Sequence, residues 1–146
     1  MKSKVFVTRE RRISATPDAV WHVISTPEMH ERLDTRCRLE STTGGGEVGS
    51  ECVLLVRAGL ARARLRYVVT EAIPVTRWVA EIDRGGKEAG VQQAELVRDE
   101  AAGTFLRWTV TVPTRRLTRG LVTSSCEREL EKWLAAVDRE ALAQAA

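Results

Sequence analysis

Residues 11–33 read RRISATPDAVWHVISTPEMHERL, and this stretch predicts the change from strand to helix that organises the rest of the chain. Pro17 suits the first turn of a helix, where its missing amide proton is not needed, and Ser14 or Thr16 can cap that turn. Pro27 ends this helix and opens a second short one, PEMHERL. The upstream residues combine β-branched and charged side chains in a strand-like register. We therefore expect one strand followed by two short helices.

The chain after these helices is divided by turn signals into six strands. Between Asp34 and Pro113, each cluster of glycine, proline and polar residues separates two segments with strand character. No proline follows Pro113, so a single helix is expected to run to the end, with Thr114 as its cap. The turns lie at residues 44–49 (GGGEVG), Gly59-Leu60, Pro74-Val75, residues 84–90 (RGGKEAG) and residues 98–103 (RDEAAG).

The hairpins predict a sheet that is covered on one side. Residues directly opposite each other in an antiparallel pair share a face, so each turn fixes which side chains its two strands direct to the same side. The turn at Pro74-Val75, for example, sets Glu71 opposite Trp78. Three hairpins agree on one apolar face and leave a mostly charged face opposite. The predicted covered face consists of Cys52, Leu54, Val56, Leu65, Tyr67, Val69, Trp78, Ala80, Ile82, Ala94, Leu96, Leu106, Trp108, Val110 and Val112, with the polar residues Glu71 and Gln92.

The C-terminal helix supplies the cover for this face. The apolar stripe of this helix, which faces the sheet, carries bulky side chains from Leu130 onward. Before that point, in LVTSSCE (121–127), the side chains are small. Small side chains over a twisted, concave sheet leave space unfilled, so the sequence predicts a cavity beneath the first half of the helix. At 100° per residue, the stripe contains Val122, Cys126, Leu130, Trp133 and Val137.

Length and composition restrict the class of protein. We expect residues 1–146 to form a single domain, because a chain of 146 residues encloses one core and has room for a cavity. The formal net charge of +3, without a basic run that includes aromatic residues, argues against a nucleic-acid partner. No apolar run is long enough for a membrane span and no signal-peptide pattern is seen, so the expected location is the cytoplasm.

Two motif-like features lead to no cofactor prediction. The three cysteines are widely spaced and lack a C-x-x-C or histidine pattern, so we predict reduced thiols and no metal. Gly44, Gly46 and Gly49 fit the dinucleotide pattern G-x-G-x-x-G, but that site needs a helix after the glycines to hold the pyrophosphate. A strand-like segment follows here instead. We therefore interpret the glycines as a turn between two strands and predict no cofactor.

Several of these segments resemble the START-related, helix-grip superfamily (SRPBCC type). VVTEAIPVTRWVAEI (68–82) is similar to its strand–proline–strand meander, and EVGSECVLL (47–55) is similar to its G-x-x-V-G-T start of a strand. The superfamily opens with a strand that runs into an I-x-A-P-x-x-V-W turn and helix, and here Thr16 is inserted before the proline. The matching residues are Ile13, Ala15, Pro17, Val20 and Trp21. The resemblance covers essentially the whole chain and is closest to the bacterial polyketide cyclase/dehydrase-like branch.

The resemblance implies an α+β fold of the helix-grip type. It consists of a curved seven-stranded antiparallel sheet, two short helices after strand 1, and a long C-terminal helix packed across the sheet, with a hydrophobic cavity between sheet and helix. Members of the superfamily bind lipids, sterols, polyketides or other apolar molecules, and some catalyse cyclisation or dehydration. The superfamily has no universal catalytic signature, so the resemblance assigns no catalytic residue. We expect binding or transport of a small hydrophobic, lipid- or polyketide-like molecule by a monomer or homodimer.

The residues expected to contact this ligand lie on the covered face and on the small half of the helix. They are Leu54, Leu65, Tyr67, Val69, Glu71, Trp78, Ala80, Gln92, Ala94, Trp108, Val110, Arg119, Val122, Thr123 and Cys126. An alternative function is an aromatic cyclase/dehydratase, in which Tyr67 or Glu71 moves a proton and Arg119 stabilises an enolate. A second alternative is a protein-interaction module, which predicts a filled core and an exposed apolar patch.

The aromatic and histidine side chains allow further expectations. Trp78, Trp108 and Trp133 converge from two strands and the helix, either as a core cluster or as an aromatic wall against which a flat ligand stacks. His22 and His30 lie on the two short helices with no metal-ligand spacing around them. We interpret both as ordinary surface histidines.

Overall fold

The computed structural model describes residues 2–145 and shows one sheet packed against one long helix. The order of elements is the one that the sequence predicts: a strand, two short helices, six strands and a long helix. The strands are β1 (Lys2–Ile13), β2 (Cys37–Thr43), β3 (Glu51–Ala58), β4 (Ala61–Ile73), β5 (Arg77–Arg84), β6 (Lys87–Arg98) and β7 (Thr104–Arg115). The helices are α1 (Pro17–Ser25), α2 (His30–Leu33) and α3 (Arg119–Ala145), with 3-10 turns at Pro27–Met29 and Arg116–Thr118.

The seven strands form a single antiparallel sheet in the order β1-β7-β6-β5-β4-β3-β2. Strands β2 to β7 follow one another as hairpin neighbours, and β1 pairs with β7 at the opposite edge. The registers predicted from the turns are confirmed in two hairpins: Leu54 lies opposite Leu65, and Ala94 lies opposite Trp108. The expected helix-grip fold is therefore confirmed.

The register predicted for the hairpin of β4 and β5 is wrong at one end. The pairing shifts after Val69, because β4 contains an extra residue at this point. Glu71 consequently lies opposite Val79, and Ala72 takes the position opposite Trp78. A β-bulge turns all later side chains of its strand to the other face. Glu71 therefore points away from the covered face, and Ala72 packs against the core in its place.

The structure shows where helices α1 and α3 begin. The amide of Ala19 donates a hydrogen bond to Oγ1 of Thr16 at 3.3 Å, so Thr16 is the cap of α1. The predicted start of α3 is wrong, because β7 continues to Arg115 and a 3-10 turn at Arg116–Thr118 follows it. Thr114 is a strand residue and does not cap the helix.

A large part of the core lies where α3 packs on β1 and β7 and where α1 packs on α3 and β6. Ile13, Ile24, Leu106, Leu134 and Val137 are fully buried there. The first half of α3 is mostly exposed to solvent. The helix is thus held mainly by its second half, whereas its first half contributes only partly buried side chains, such as Val122 and Cys126, to the edge of the core.

The G-x-G-x-x-G segment forms the turn between β2 and β3, as predicted. Gly46 has a φ of +105°, and a Cβ atom at this position would lie 2.4 Å from the carbonyl oxygen of Ser25 at the end of α1. Only glycine allows the turn to approach α1 so closely. Because β3 follows directly at Glu51, no helix N-terminus faces the glycines, and the geometry of a dinucleotide site is not formed here.

Candidate functional site

A cavity of about 250 Å³ lies between the middle of α3 and the covered face of the sheet. Strands β3, β4, β6 and β7 form its floor, α3 forms its roof, and α2 with the residues leading into β2 forms a third wall. It is partly open to solvent. The floor residues are Val56, Leu65, Tyr67, Gln92, Trp108 and Val110, the roof residues are Ser125, Cys126, Glu129, Leu130 and Trp133, and the wall residues are His30, Asp34, Arg36 and Cys37.

The cavity results from a change in side-chain size along α3. Leu130, Leu134 and Val137 are 3%, 1% and 0% exposed, so they fill the space between helix and sheet. Ser125 and Cys126 precede them on the helix and are too short to fill the space in the same way. Side chains beneath them therefore lack packing partners from the helix. The predicted position is confirmed in part, because the cavity lies beneath Ser125 and Cys126 at the end of the small segment but extends to Trp133, and Val122 and Thr123 do not line it.

Aromatic rings line the inner end of the cavity. The ring centroids of Trp108 and Trp133 are 5.4 Å apart in an edge-to-face arrangement, and Trp78 packs behind Trp108 at 5.8 Å. His30 lies 5.7 Å from Trp133 and 5.5 Å from Tyr67. The predicted convergence of the three tryptophans is confirmed. Trp108 and Trp133 line the cavity, so these two give it a wall suited to a flat, apolar molecule.

His30 is buried, and its interpretation as a surface residue is wrong. Its side chain is turned inward from α2, and the residue is only 6% exposed. Its Nδ1 lies 3.1 Å from the carbonyl oxygen of Pro27, which can only accept a hydrogen bond, so Nδ1 carries the proton. Burial lowers the pKa of His30, against smaller opposing effects of this hydrogen bond and of Asp34. The imidazole is therefore neutral, and Nε2 has a free lone pair.

Tyr67 lies on the cavity floor beside His30 and is 8% exposed. Burial raises the pKa of Tyr67 well above its usual value, and the neighbouring Cys37, Cys52 and Asp34 add to the effect. The phenol stays protonated and acts as a hydrogen-bond donor. It is one of the residues that the covered-face pattern predicts.

An ion pair lies at the mouth of the cavity. Nη2 of Arg36 lies 2.8 Å from Oδ2 of Asp34 and 2.5 Å from Oε2 of Glu129. Burial by itself raises the pKa of Asp34, but its hydrogen bonds with Arg36 outweigh this and lower the pKa overall. The pair joins the segment before β2 to helix α3, so it connects two sides of the opening.

The cysteines near the cavity are not activated. Burial and then the carboxylate of Asp34 raise the pKa of Cys37 to about 12, and burial raises the pKa of Cys52 to about 11. Burial also raises the pKa of Cys126. Since the thiolate is the nucleophilic form, these thiols are poor nucleophiles. Their role at the cavity is that of small, weakly polar side chains.

The structure distributes the predicted ligand contacts among several environments. Leu65, Tyr67, Gln92, Trp108, Val110 and Cys126 line the cavity. Val69 and Trp78 line a void of about 20 Å³ on the other side of His30 and Tyr67. Leu54, Ala80 and Ala94 are fully buried in the core, and Val122 and Thr123 are half-buried on the first half of α3.

Glu71 and Arg119, the two residues that the cyclase hypothesis combines with Tyr67, do not meet in the structure. Oε2 of Glu71 lies 3.1 Å from Nε of Arg77, on the face of the sheet that is directed away from the cavity. Arg119 is exposed at the start of α3 and makes no ion pair with the residues that the structure describes. Tyr67 therefore has neither of these two side chains beside it. The site lacks the constellation that the cyclase hypothesis requires.

Sequence reasoning missed most of the third wall. His30, Asp34, Arg36 and Cys37 lie on a four-residue helix and in the segment after it, and Glu129 lies one turn from a predicted stripe position. The one available signal was the aromatic pattern, because Trp133 belongs to the predicted stripe and meets His30. Elements this short have no apolar periodicity from which a buried face is predicted.

Within residues 2–145, neither a metal-ligating cluster nor a long apolar helix is present. No group of three or more histidine, cysteine, aspartate and glutamate side chains in this part of the chain is placed to hold a metal ion. Within the same residues, no helix has the length and apolar character needed to cross a membrane.

Comparison with known proteins places the chain in a family. Residues 4–142 match the family described as "Polyketide cyclase / dehydrase and lipid transport". The chain belongs to this family. The match covers β1 from Lys4 onward, the other six strands in full and nearly all of α3, so the cavity lies entirely within the polyketide cyclase/dehydrase and lipid transport domain. No curated protein sequence matches the chain.

Solved structures show the same fold at low sequence identity. A protein of unknown function from Staphylococcus aureus superimposes with a TM-score of 0.84 at 10% identity, covering 99% of this chain and 97% of that one. Ara h 8.0201 gives a TM-score of 0.74 at 12% identity, with 97% and 99% covered. The Aha1 dimer from Colwellia psychrerythraea gives 0.68 at 18% identity, with 92% and 93% covered. These likenesses establish the fold of the chain.

Proposed function

We propose that this protein binds a small hydrophobic molecule in the cavity between the sheet and α3, as a carrier or as a binding protein. The observation that supports this function is the cavity itself, about 250 Å³ in volume, with aromatic and aliphatic walls and a few inward polar atoms. Ligand sites in proteins combine these two properties: apolar walls supply affinity, and a few placed polar groups fix orientation. Membership of the family agrees with this proposal.

Neighbouring surface features fit a hydrophobic ligand less well. The depression beside the mouth, about 330 Å³, is lined mainly by polar side chains, including Arg38, Arg57 and Arg62. It lacks the tryptophan wall of the cavity. The void behind His30 and Tyr67 is about 20 Å³, which is too small for anything beyond a water-sized molecule. The apolar cavity is therefore the proposed site.

The alternative functions have weaker support. The cyclase hypothesis needs Glu71 and Arg119 beside Tyr67, and the first is paired with Arg77 while the second is exposed. The interaction-module hypothesis needs a filled core, whereas the cavity leaves part of the covered face without packing partners. Exposed apolar side chains, which this hypothesis also expects, are found at Leu117 in the 3-10 turn before α3 and at Leu121 in the first turn of α3.

Native mass spectrometry of freshly purified protein tests this function first. A co-purifying mass that dissociates on collisional activation supports it. Thermal unfolding with added naphthalene tests it independently. At ten times the dissociation constant, a ligand stabilises a protein by about 1.4 kcal/mol, which corresponds to roughly 3–6 °C for a domain of this size.

A matched pair of variants on α3 locates the binding. Ser125→Phe places a ring at the roof of the cavity. Ser124→Phe places the same ring on the preceding residue, which does not line the cavity. We expect naphthalene to stabilise Ser124→Phe as it stabilises the unmodified protein, and to stabilise Ser125→Phe much less. Equal stabilisation of both variants contradicts binding in this cavity. Absence of both a co-purifying mass and any naphthalene effect contradicts the proposed function.

A further inference from the structure

Two residues of the cavity lining, His30 and Tyr67, each have a polar side-chain atom without a hydrogen-bond partner among residues 2–145. His30 and Tyr67 are each more than nine-tenths buried. The imidazole uses Nδ1 for its hydrogen bond to Pro27, and neither its Nε2 nor the hydroxyl of Tyr67 is hydrogen-bonded within residues 2–145. Neither atom is fully enclosed, and both residues line the cavity. A ligand that excludes water from these two atoms must supply their hydrogen bonds, or it leaves them unpaired.

The two atoms have complementary hydrogen-bonding roles. Nε2 of the neutral His30 can only accept a hydrogen bond, because the ring proton is on Nδ1. The protonated phenol of Tyr67 donates one and can also accept one. The two rings are 5.5 Å apart and tilted by 60°. The rings are neighbours, and a ligand group that reaches both polar atoms meets an acceptor on His30 and a donor on Tyr67.

We propose that His30 and Tyr67 select an aromatic ligand by a hydroxyl group that donates to Nε2 of His30 and accepts from the hydroxyl of Tyr67. This inference rests on the proposed function and adds the chemical class of its ligand. A hydroxyl both donates and accepts. An ether or a carbonyl oxygen only accepts, which leaves Nε2 unpaired, and a hydrocarbon leaves both atoms unpaired. Leaving a buried polar atom unpaired carries a free-energy penalty in each of these complexes.

The volume and walls of the cavity define the rest of the ligand. A dry apolar cavity of roughly 150 Å³ holds benzene, and this cavity measures about 250 Å³. It accordingly fits one aromatic ring with substituents or two fused rings. Trp108 and Trp133, at 5.4 Å from each other, offer a ring edge and a ring face at its inner end. The ligand class is a one- or two-ring phenol.

The test compares 1-naphthol with 1-methylnaphthalene and naphthalene by isothermal titration calorimetry. The methyl group has nearly the size of the hydroxyl but can neither donate nor accept a hydrogen bond. We expect 1-naphthol to bind about tenfold more tightly than 1-methylnaphthalene, the ratio that corresponds to one net hydrogen bond of about 1.4 kcal/mol. His30→Phe and Tyr67→Phe should each reduce this preference severalfold. His22→Phe, which alters the exposed histidine of α1, should retain it.

The possible results separate this inference from the proposed function. Equal binding of 1-naphthol and 1-methylnaphthalene overturns the role of the hydroxyl but leaves a hydrophobic cavity site intact. A preference that survives in both His30→Phe and Tyr67→Phe overturns the assignment of the two residues. Failure of all three compounds to bind counts against the cavity site itself. Tyr67→Phe removes a single oxygen atom, so it tests the assignment even if His30→Phe does not fold.

Discussion

Arg36 joins two sides of the cavity mouth, because its Nη2 lies 2.5 Å from Oε2 of Glu129 on α3 and 2.8 Å from Oδ2 of Asp34 before β2. The side chains of Arg36 and Glu129 are 45% and 40% exposed. Ion pairs exposed to this degree contribute about 0–1 kcal/mol to stability. We therefore expect the pair to affect ligand passage through the mouth more than it affects folding.

Glu129→Gln should accelerate ligand exchange while changing stability little. The substitution removes the charge that holds Arg36 to α3, so the mouth opens more readily and 1-naphthol should dissociate severalfold faster. The melting temperature should move by less than about 4 °C, the shift expected for 1 kcal/mol in a domain of this size. Stopped-flow fluorescence measures the dissociation rate. Glu131→Gln is the control, since Oε1 of Glu131 pairs with Nε of Arg9 at 3.2 Å, away from the mouth. Equal rates in the two variants contradict a restriction by Arg36.

The two halves of α3 should differ sharply in their contribution to stability. Leu134 is 1% exposed and packs in the core, so Leu134→Ala should lower the free energy of unfolding by about 2–5 kcal/mol. Val122 is only half-buried, in the first half of α3. Val122→Ala should therefore lower the free energy of unfolding by less than about 1 kcal/mol. Urea unfolding at equilibrium measures both. Similar losses in the two variants mean that the first half of the helix packs as tightly as the second.

Much of the fold follows from local sequence rules, because glycine and proline turns set the hairpins and each hairpin sets the parity of its strands. Leu54 opposite Leu65 and Ala94 opposite Trp108 are direct consequences of such turns. The bulge after Val69 is different. It adds one residue inside a continuous strand, where no turn residue marks it, so the parity argument placed Glu71 on the wrong face.

The site was less predictable than the fold. The floor residue Tyr67 and the aromatic residues Trp108 and Trp133 follow from strand parity and helix periodicity. His30 does not, since α2 has four residues and the direction of its side chains depends on how α3 covers it. Arg36 and Glu129 meet through contacts between elements far apart in the sequence. Such pairings depend on tertiary packing, which no local pattern encodes.

Glu71→Ala should leave ligand binding unchanged, because the bulge directs Glu71 to the outer face. Its pair with Arg77 is partly exposed, so the free energy of unfolding should change by less than about 1 kcal/mol. Calorimetric titration with 1-naphthol measures the affinity. Gln92→Ala alters the cavity floor from the opposite face of the sheet and should change that affinity. A weakened affinity in Glu71→Ala places that carboxylate at the site and contradicts the outward orientation.

The burial of His30 should make the folded state sensitive to mild acid. The pKa of His30 is lowered from its ordinary value of 6.5, so the unfolded chain binds a proton more readily than the folded protein. The stabilising effect of the neutral ring is complete above about pH 6.5. It decreases as the pH falls below that value toward the lowered pKa. Binding of 1-naphthol should weaken only at still lower pH, where His30 of the folded protein itself takes up a proton and Nε2 no longer accepts a hydrogen bond.

Other titratable groups near His30 also affect its protonation. Glu28 and Asp34 oppose the lowering of its pKa, Tyr67 of β4 stays protonated, and Glu129 of α3 lines the same cavity. Urea unfolding at pH 7 and pH 5 in the unmodified protein and in His30→Phe isolates the contribution of the imidazole. The loss of stability between the two pH values should be smaller in His30→Phe. His22→Phe should keep the full loss, and an identical pH dependence in all three proteins contradicts the buried, neutral state of His30.

Gly46 and Gly49 provide a matched test of the turn that packs against α1. Both have positive φ angles, +105° and +91°, so alanine is strained at either position. An added Cβ atom meets nothing within 4 Å at Gly49, but at Gly46 it lies 2.4 Å from the carbonyl oxygen of Ser25. Gly49→Ala should therefore cost about 1–3 kcal/mol from backbone strain alone, and Gly46→Ala should cost clearly more, as measured by urea unfolding. Equal costs mean that the turn moves away from α1 without penalty, and that the close approach of the two backbones is not needed to hold the strands beneath the cavity.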